Sequence, residues 1–118
     1  MLYNVIPTPV FLRDIEYYKI KKKYRHIDDD VSKVVSEIQS GNFIGDEITG
    51  LKLPEGESSY KVRAANSDMN VGKSNGYRII YYVVKNDSDI FLLTIYSKKD
   101  REDIPKNEIN DIINAYCK

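Results

Sequence analysis

Tyr77-Arg78-Ile79-Ile80-Tyr81-Tyr82-Val83-Val84-Lys85, then Asn86-Asp87-Ser88-Asp89, then Ile90-Phe91-Leu92-Leu93-Thr94-Ile95-Tyr96 is the stretch whose reading decides the fold. Its first run is dense in tyrosine, isoleucine and valine, side chains that fit a pleated, half-buried surface. The tetrad after it is turn-forming, because Asn, Asp and Ser side chains hydrogen-bond their own backbone. The second run returns apolar on both faces, which predicts a central strand covered on both sides. Upstream, Tyr60, Val62 and Ala64 alternate with Lys61 and Arg63, so residues 60–64 read as a strand with one core face and one polar face. Residues 66–76 between them are polar, hold two glycines and read as a flexible connection.

On the N-terminal side, residues 2–6 read as a short strand ended by Pro7. Thr8-Pro9 is a helix start, since the threonine hydroxyl accepts an orphan N–H and proline is pre-set for the first helical position. Phe11, Ile15 and Tyr18 then fall on one helical face, predicting a helix to about Tyr24. Asp28 or Asp29 is expected to cap a second helix striped by Val31, Val34, Val35 and Ile38, with Gly41 ending it in the left-handed conformation. The two form a helical hairpin. Residues 42–59 hold three glycines and one proline and read mostly as loop. Beyond Ser97 the chain becomes charged. Ile109, Ile112, Ile113 and Tyr116 then mark a final helix, with Pro105 near its start. The expectation is an α+β layer fold: an N-terminal helical hairpin packed on a small antiparallel sheet, with a C-terminal helix, in one domain over 1–118.

The chain has 118 residues, 42% hydrophobic and 31% charged, as expected of one soluble domain with a single modest core. No run approaches the roughly 18 apolar residues of a membrane span, and the N-terminus has no signal-peptide pattern. The single cysteine, Cys117, sits next to the end, so no internal disulfide is possible and a cytoplasmic location is expected. One cysteine and one histidine, His26, are too few nitrogen and sulfur ligands for a zinc site, and no metal or other cofactor is expected. Net charge is zero, unusual for a phosphate binder. The charges are nevertheless sorted. Lys19, Lys21, Lys22, Lys23 and Arg25 cluster, residues 28–57 turn acidic, and Lys61, Arg63, Lys73, Arg78 and Lys85 follow with only Asp68 among them. Gly72-Lys73-Ser74 lacks the glycine spacing and the strand–helix context of a phosphate loop.

Tyr60-Lys61-Val62-Arg63, Gly76-Tyr77-Arg78-Ile79-Ile80-Tyr81 and Ile90-Phe91-Leu92-Leu93-Thr94-Ile95-Tyr96-Ser97-Lys98, in that order behind a helical hairpin, resemble the core of RelE/ParE-superfamily toxins, and most closely the HigB-type branch. The resemblance covers most of the chain. It implies a RelE-like, microbial-RNase-type fold and the toxin of a type II toxin–antitoxin system. It also implies a ribosome-dependent mRNA endonuclease (an mRNA interferase) that needs no metal and is held inactive by an antitoxin.

Such cleavage needs a base for the ribose 2′-hydroxyl, an acid for the leaving 5′-oxygen, and cations for the charge of the phosphorane. His26 falls in the turn between the helices and reads as solvated. Lys61 and Arg63, two apart on a strand, emerge from one face, and Arg78 opens the neighbouring strand. Arg63 and Arg78 are expected to clamp the scissile phosphate, Lys61 or Lys98 to act as acid or base, and Tyr96 to stack on a base or orient a proton. Alternating cations on a strand are, without a partner, simply a solvated face. Two rival functions share this fold: a ParE-like inhibitor of DNA gyrase, and a non-catalytic interaction module, which the zero net charge favours. Tyr18, Tyr60, Tyr81 and Tyr116 read as core packing with a hydroxyl at the rim.

Overall fold

The hairpin read from residues 77–96 is the centre of a five-stranded sheet in a computed structural model that describes residues 2–118. The strands are β1 (Asn4–Pro7), β2 (Asp46–Glu47), β3 (Glu57–Ala64), β4 (Tyr77–Val84) and β5 (Asp89–Ser97), in the spatial order β1-β5-β4-β3-β2. The helices are α1 (Pro9–Glu16), α2 (Ile27–Gln39) and α3 (Lys106–Tyr116). The expected α+β layering holds, and a strand precedes the helices as expected; it pairs parallel to β5, however, so the sheet is mixed rather than antiparallel. The chain reaches this arrangement because α1 and α2 carry it from β1 at one edge to β2 at the other.

Antiparallel register aligns Tyr60 with Tyr81, Val62 with Ile79 and Ala64 with Tyr77, all on the face that α1 and α2 cover. Here Tyr18, Tyr24 and Tyr77 interlock through ring contacts 5.7–6.3 Å apart. The Tyr18 hydroxyl accepts from the Ser97 N–H at 2.8 Å and the Tyr81 hydroxyl donates to the Ile44 carbonyl at 2.6 Å, so two of these buried phenols are satisfied. The opposite face pairs Ile80 with Thr94 and Tyr82 with Phe91, and with Leu93 and Tyr96 it is covered by α3 through Ile109, Ile112 and Ile113. A bulge opposite Ile80/Tyr81 shifts the register of β5, so that Ile80 pairs with Thr94 and Tyr81 with Leu92, and Leu93 packs into the cluster under α3. Asp14 of α1 accepts from the Thr94 hydroxyl and from the Ile95 N–H at 3.3 Å, fixing the bulge to the helix.

Thr8 caps α1 as expected, accepting from the Phe11 N–H at 3.2 Å, while its hydroxyl faces the carbonyls of Leu92 and Leu93 at 3.0 Å. The helix is shorter than the apolar spacing predicts. It widens into a π-helical turn at Tyr17–Lys21, and Lys23 takes a left-handed φ of 61°. Neither Asp28 nor Asp29 caps α2. The helix starts at Ile27 with Asp28, Asp29 and Asp30 in its first turn, where their charge suits the dipole. Buried Asp30 accepts from the Ser67 N–H and hydroxyl, both at 3.0 Å. Residues 42–59 contain β2, which pairs with Lys61 and Tyr60 of β3. Tyr116 is exposed rather than packed. No helix of the described residues is long and apolar enough to cross a membrane.

Candidate functional site

Register settles which face the cations take. Arg63 pairs with Arg78, Arg78 with Tyr96 and Lys61 with Ile80, and directly paired antiparallel residues share a face. Lys61, Arg63, Arg78 and Tyr96 therefore lie together on the α3 side, at the end of the sheet where the apolar cover of α3 gives way to the segment leading into it. Lys98 follows β5, exposed, with its backbone N–H donating to the Gly76 carbonyl at 2.9 Å.

Having brought them together, the fold gives them different surroundings. Arg63 is exposed. Lys61 Nζ donates to Asp103 Oδ1 at 3.2 Å, and Asp103 also accepts from the Ile104 N–H at 2.8 Å. The Ile104 hydrogen bond first, and Lys61 after it, hold the Asp103 carboxyl below the usual carboxylate range. Tyr96 is only 4% exposed, its ring lies under the Arg101 guanidinium at 5.7 Å, and its buried hydroxyl makes no hydrogen bond among the described residues. Burial, then the nearby Asp103 charge, pushes the pKa of Tyr96 up to about 12. In this arrangement the ring is not offered to a base.

Arg78 differs most from the expectation. It is 5% exposed, and its guanidinium is turned into the backbone. Nη1 donates to the carbonyls of Lys73 at 3.0 Å and Tyr77 at 3.2 Å, and Nη2 to that of Ser74 at 2.8 Å. It holds a single 3₁₀ turn, Lys73–Asn75, against the start of β4. Burial, and next the charge of Arg63, lower its pKa from the ordinary arginine value. Gly76 makes the close approach possible: a Cβ there would stand 2.1 Å from the Ala64 carbonyl oxygen. The Gly-Tyr-Arg strand start is thus a packing device as well as a charge.

Two further residues belong to the neighbourhood. Lys73 lies beside Arg63 in a hollow of ≈ 390 Å³ that Lys61, Gly45 and Asp46 also line. Asp103, with Lys61 and Lys106, lines a hollow of ≈ 270 Å³ rimmed by Asp46 and Glu47. Lys73 stood out in the sequence only as one of a run of cations, and Asp103 not at all, because each acquires its place from the path of a loop. His26 is not simply solvated. Its Nδ1 lies 2.8 Å from Asp68 Oδ1 and its backbone N–H donates to Oδ2 at 2.9 Å, tying the start of α2 to the loop after β3. No cluster of three or more His, Cys, Asp or Glu placed to hold a metal ion occurs among the described residues.

The strand order and the helices on either face make this a RelE-like fold. The solved structure of a free-state mutant of E. coli toxin RelE, carrying two arginine-to-alanine substitutions, superimposes with a TM-score of 0.55 over 86% of this chain and 90% of that one, at 19% sequence identity. No family model matches the chain.

Proposed function

We propose that this chain is the toxin of a type II toxin–antitoxin pair and a ribosome-dependent mRNA endonuclease of the cytoplasm. The observation that carries the reading is the common face of Lys61, Arg63, Arg78 and Tyr96 across three neighbouring strands. The alternative placement, with Arg78 on the far side of the sheet, would have left no shared anion site. Arg63, exposed, clamps the scissile phosphate through its planar fork. Lys61, or Lys98 beyond the strand end, moves a proton, and the cationic sheet end stabilises the phosphorane. Arg78 contributes charge from below and shapes the site. The HigB-type assignment rests on the sequence resemblance.

The partner this reading requires is an antitoxin segment, acidic and amphipathic. Leu12 and Ile20, 54% and 60% exposed on the first helix and its π-helical turn, are apolar positions beside Lys19 and Lys21 that such a segment would cover. A second reading, a non-catalytic interaction module, is favoured by the pairing of Lys61 with Asp103 and by the donors Arg78 gives to backbone carbonyls. Expression in bacteria separates the readings. Growth arrest with loss of mRNA is expected; arrest with DNA damage supports gyrase inhibition, and unhindered growth supports the inert module.

A further inference from the structure

We infer that Lys73 is a third phosphate-binding cation, acting with Lys61 and Arg63 on the backbone of single-stranded RNA, and that Arg78 is the positioning residue that holds it there. The inference rests on the nuclease reading and adds to it a residue and a division of labour.

Two adjoining hollows, ≈ 370 and ≈ 390 Å³, share Arg63 and Lys73 in their walls. Lys33 lines the first and Lys61 the second, so one trough runs past the outer edge of β3 where β2, only two residues long, no longer covers it. Two of the three acids of this trough are engaged, and the third, Asp46, is exposed opposite Lys61 at its far end. Asp30 is buried and accepts from Ser67, and Glu37 accepts from the Asn42 amide at 2.8 Å. Lys33, Arg63 and Lys73 make no ion pair among the described residues, and Lys61 is the one trough cation with a carboxylate, Asp103. A chain of zero net charge has acids enough to pair these cations. They line one open trough instead, where an anion would relieve their mutual repulsion. Cations spread along a trough suit a run of phosphodiesters better than one phosphate.

Arg78 explains why Lys73 stays in place. A flexible loop lysine loses entropy on binding, but the carbonyls of Lys73 and Ser74 are both fixed by one buried guanidinium. Gly76 lets that turn lie against β3.

The test is the salt dependence of binding to a short fluorescein-labelled single-stranded RNA, followed by anisotropy. Each lost phosphate contact lowers the slope of log affinity against log salt by roughly 0.7. Lys73→Ala and Arg63→Ala are each expected to lower the slope by about that amount. Arg78→Ala should produce the Lys73→Ala slope, and the double variant should fall no further. An additive double variant would make Arg78 a direct phosphate ligand and overturn its positioning role. Should Arg78→Ala fail to fold, Arg78→Lys decides, since its ammonium keeps the charge but lacks the planar fork whose two nitrogens span the Lys73, Tyr77 and Ser74 carbonyls: a lowered slope supports the inference and a wild-type slope overturns it. Arg63-dependent binding with an unchanged Lys73→Ala slope sinks this inference alone. A wild type that does not bind RNA at low salt sinks the nuclease reading as well.

Discussion

The two faces of the sheet are built from the same strands and differ in what they do with charge. Under α1 and α2, tyrosines are buried, Tyr18 and Tyr81 find backbone partners and only the Tyr77 phenol goes unpaired. Under α3, apolar cover extends over Ile80, Tyr82 and Leu93 and then stops, leaving cations and an ion pair beside the unpaired Tyr96 phenol at one end. The first face stabilises the fold. The second gives up packing at its end, where a fold can keep charged groups poised for a ligand. The lesson is that alternation along one strand, Tyr60-Lys61-Val62-Arg63, specifies both a core and a site, and the partner strand decides how far each extends.

The largest expected effect breaks the first face. Tyr81→Ala removes a fully buried ring and its hydrogen bond, and should destabilise by about 3–5 kcal/mol in urea unfolding. Thr8→Ala removes a buried cap that also faces two carbonyls of β5, at about 1–2 kcal/mol. Replacing the two tyrosines whose buried hydroxyls lack partners sharpens the comparison. Tyr77→Phe and Tyr96→Phe should each leave stability unchanged or raise it by on the order of 1 kcal/mol. Only Tyr96→Phe should reduce RNA cleavage, because only Tyr96 shares a face with Arg63 and Arg78. Equal loss of cleavage in both would erase the functional distinction between the faces.

The smallest effect is a titration. The hydrogen bond to Asp68, and then its charge, raise the His26 pKa above the ordinary 6.5. The folded state therefore binds this proton more tightly than the unfolded chain. The contact stabilises in full below about pH 6.5 and is lost as pH rises through the raised midpoint. Proton NMR should show that midpoint, and Asp68→Asn should return it to the ordinary value.

Much of this was legible in the chain. Period-two alternation located β3, runs of β-branched and aromatic residues around a turn tetrad located β4 and β5, and Thr8-Pro9 and Gly41 marked helix ends, because those signals are local. Pairing of β1 parallel to β5, the bulge at Leu93-Thr94 and the two-residue β2 were not, since each depends on a strand distant in sequence. At the site, strand parity put Lys61 and Arg63 on one face, while the placement of Arg78 and Tyr96 on that same face depended on the register of β4 and β5. The orientation of the Arg78 guanidinium was hidden because the Lys73–Asn75 turn decides it, and that turn exists only where Gly76 can lie against Ala64. Asp103 was hidden in the charged segment after β5 for the same reason.

The most direct test of the cationic sheet end is primer-extension mapping of mRNA ends in cells expressing wild type or Arg63→Ala, with urea midpoints measured on both proteins. The account predicts new mRNA ends with wild type and their loss with Arg63→Ala at an unchanged midpoint, since the side chain is exposed. Wild-type expression without new ends, or an Arg63→Ala protein that cuts as well as wild type, would contradict it.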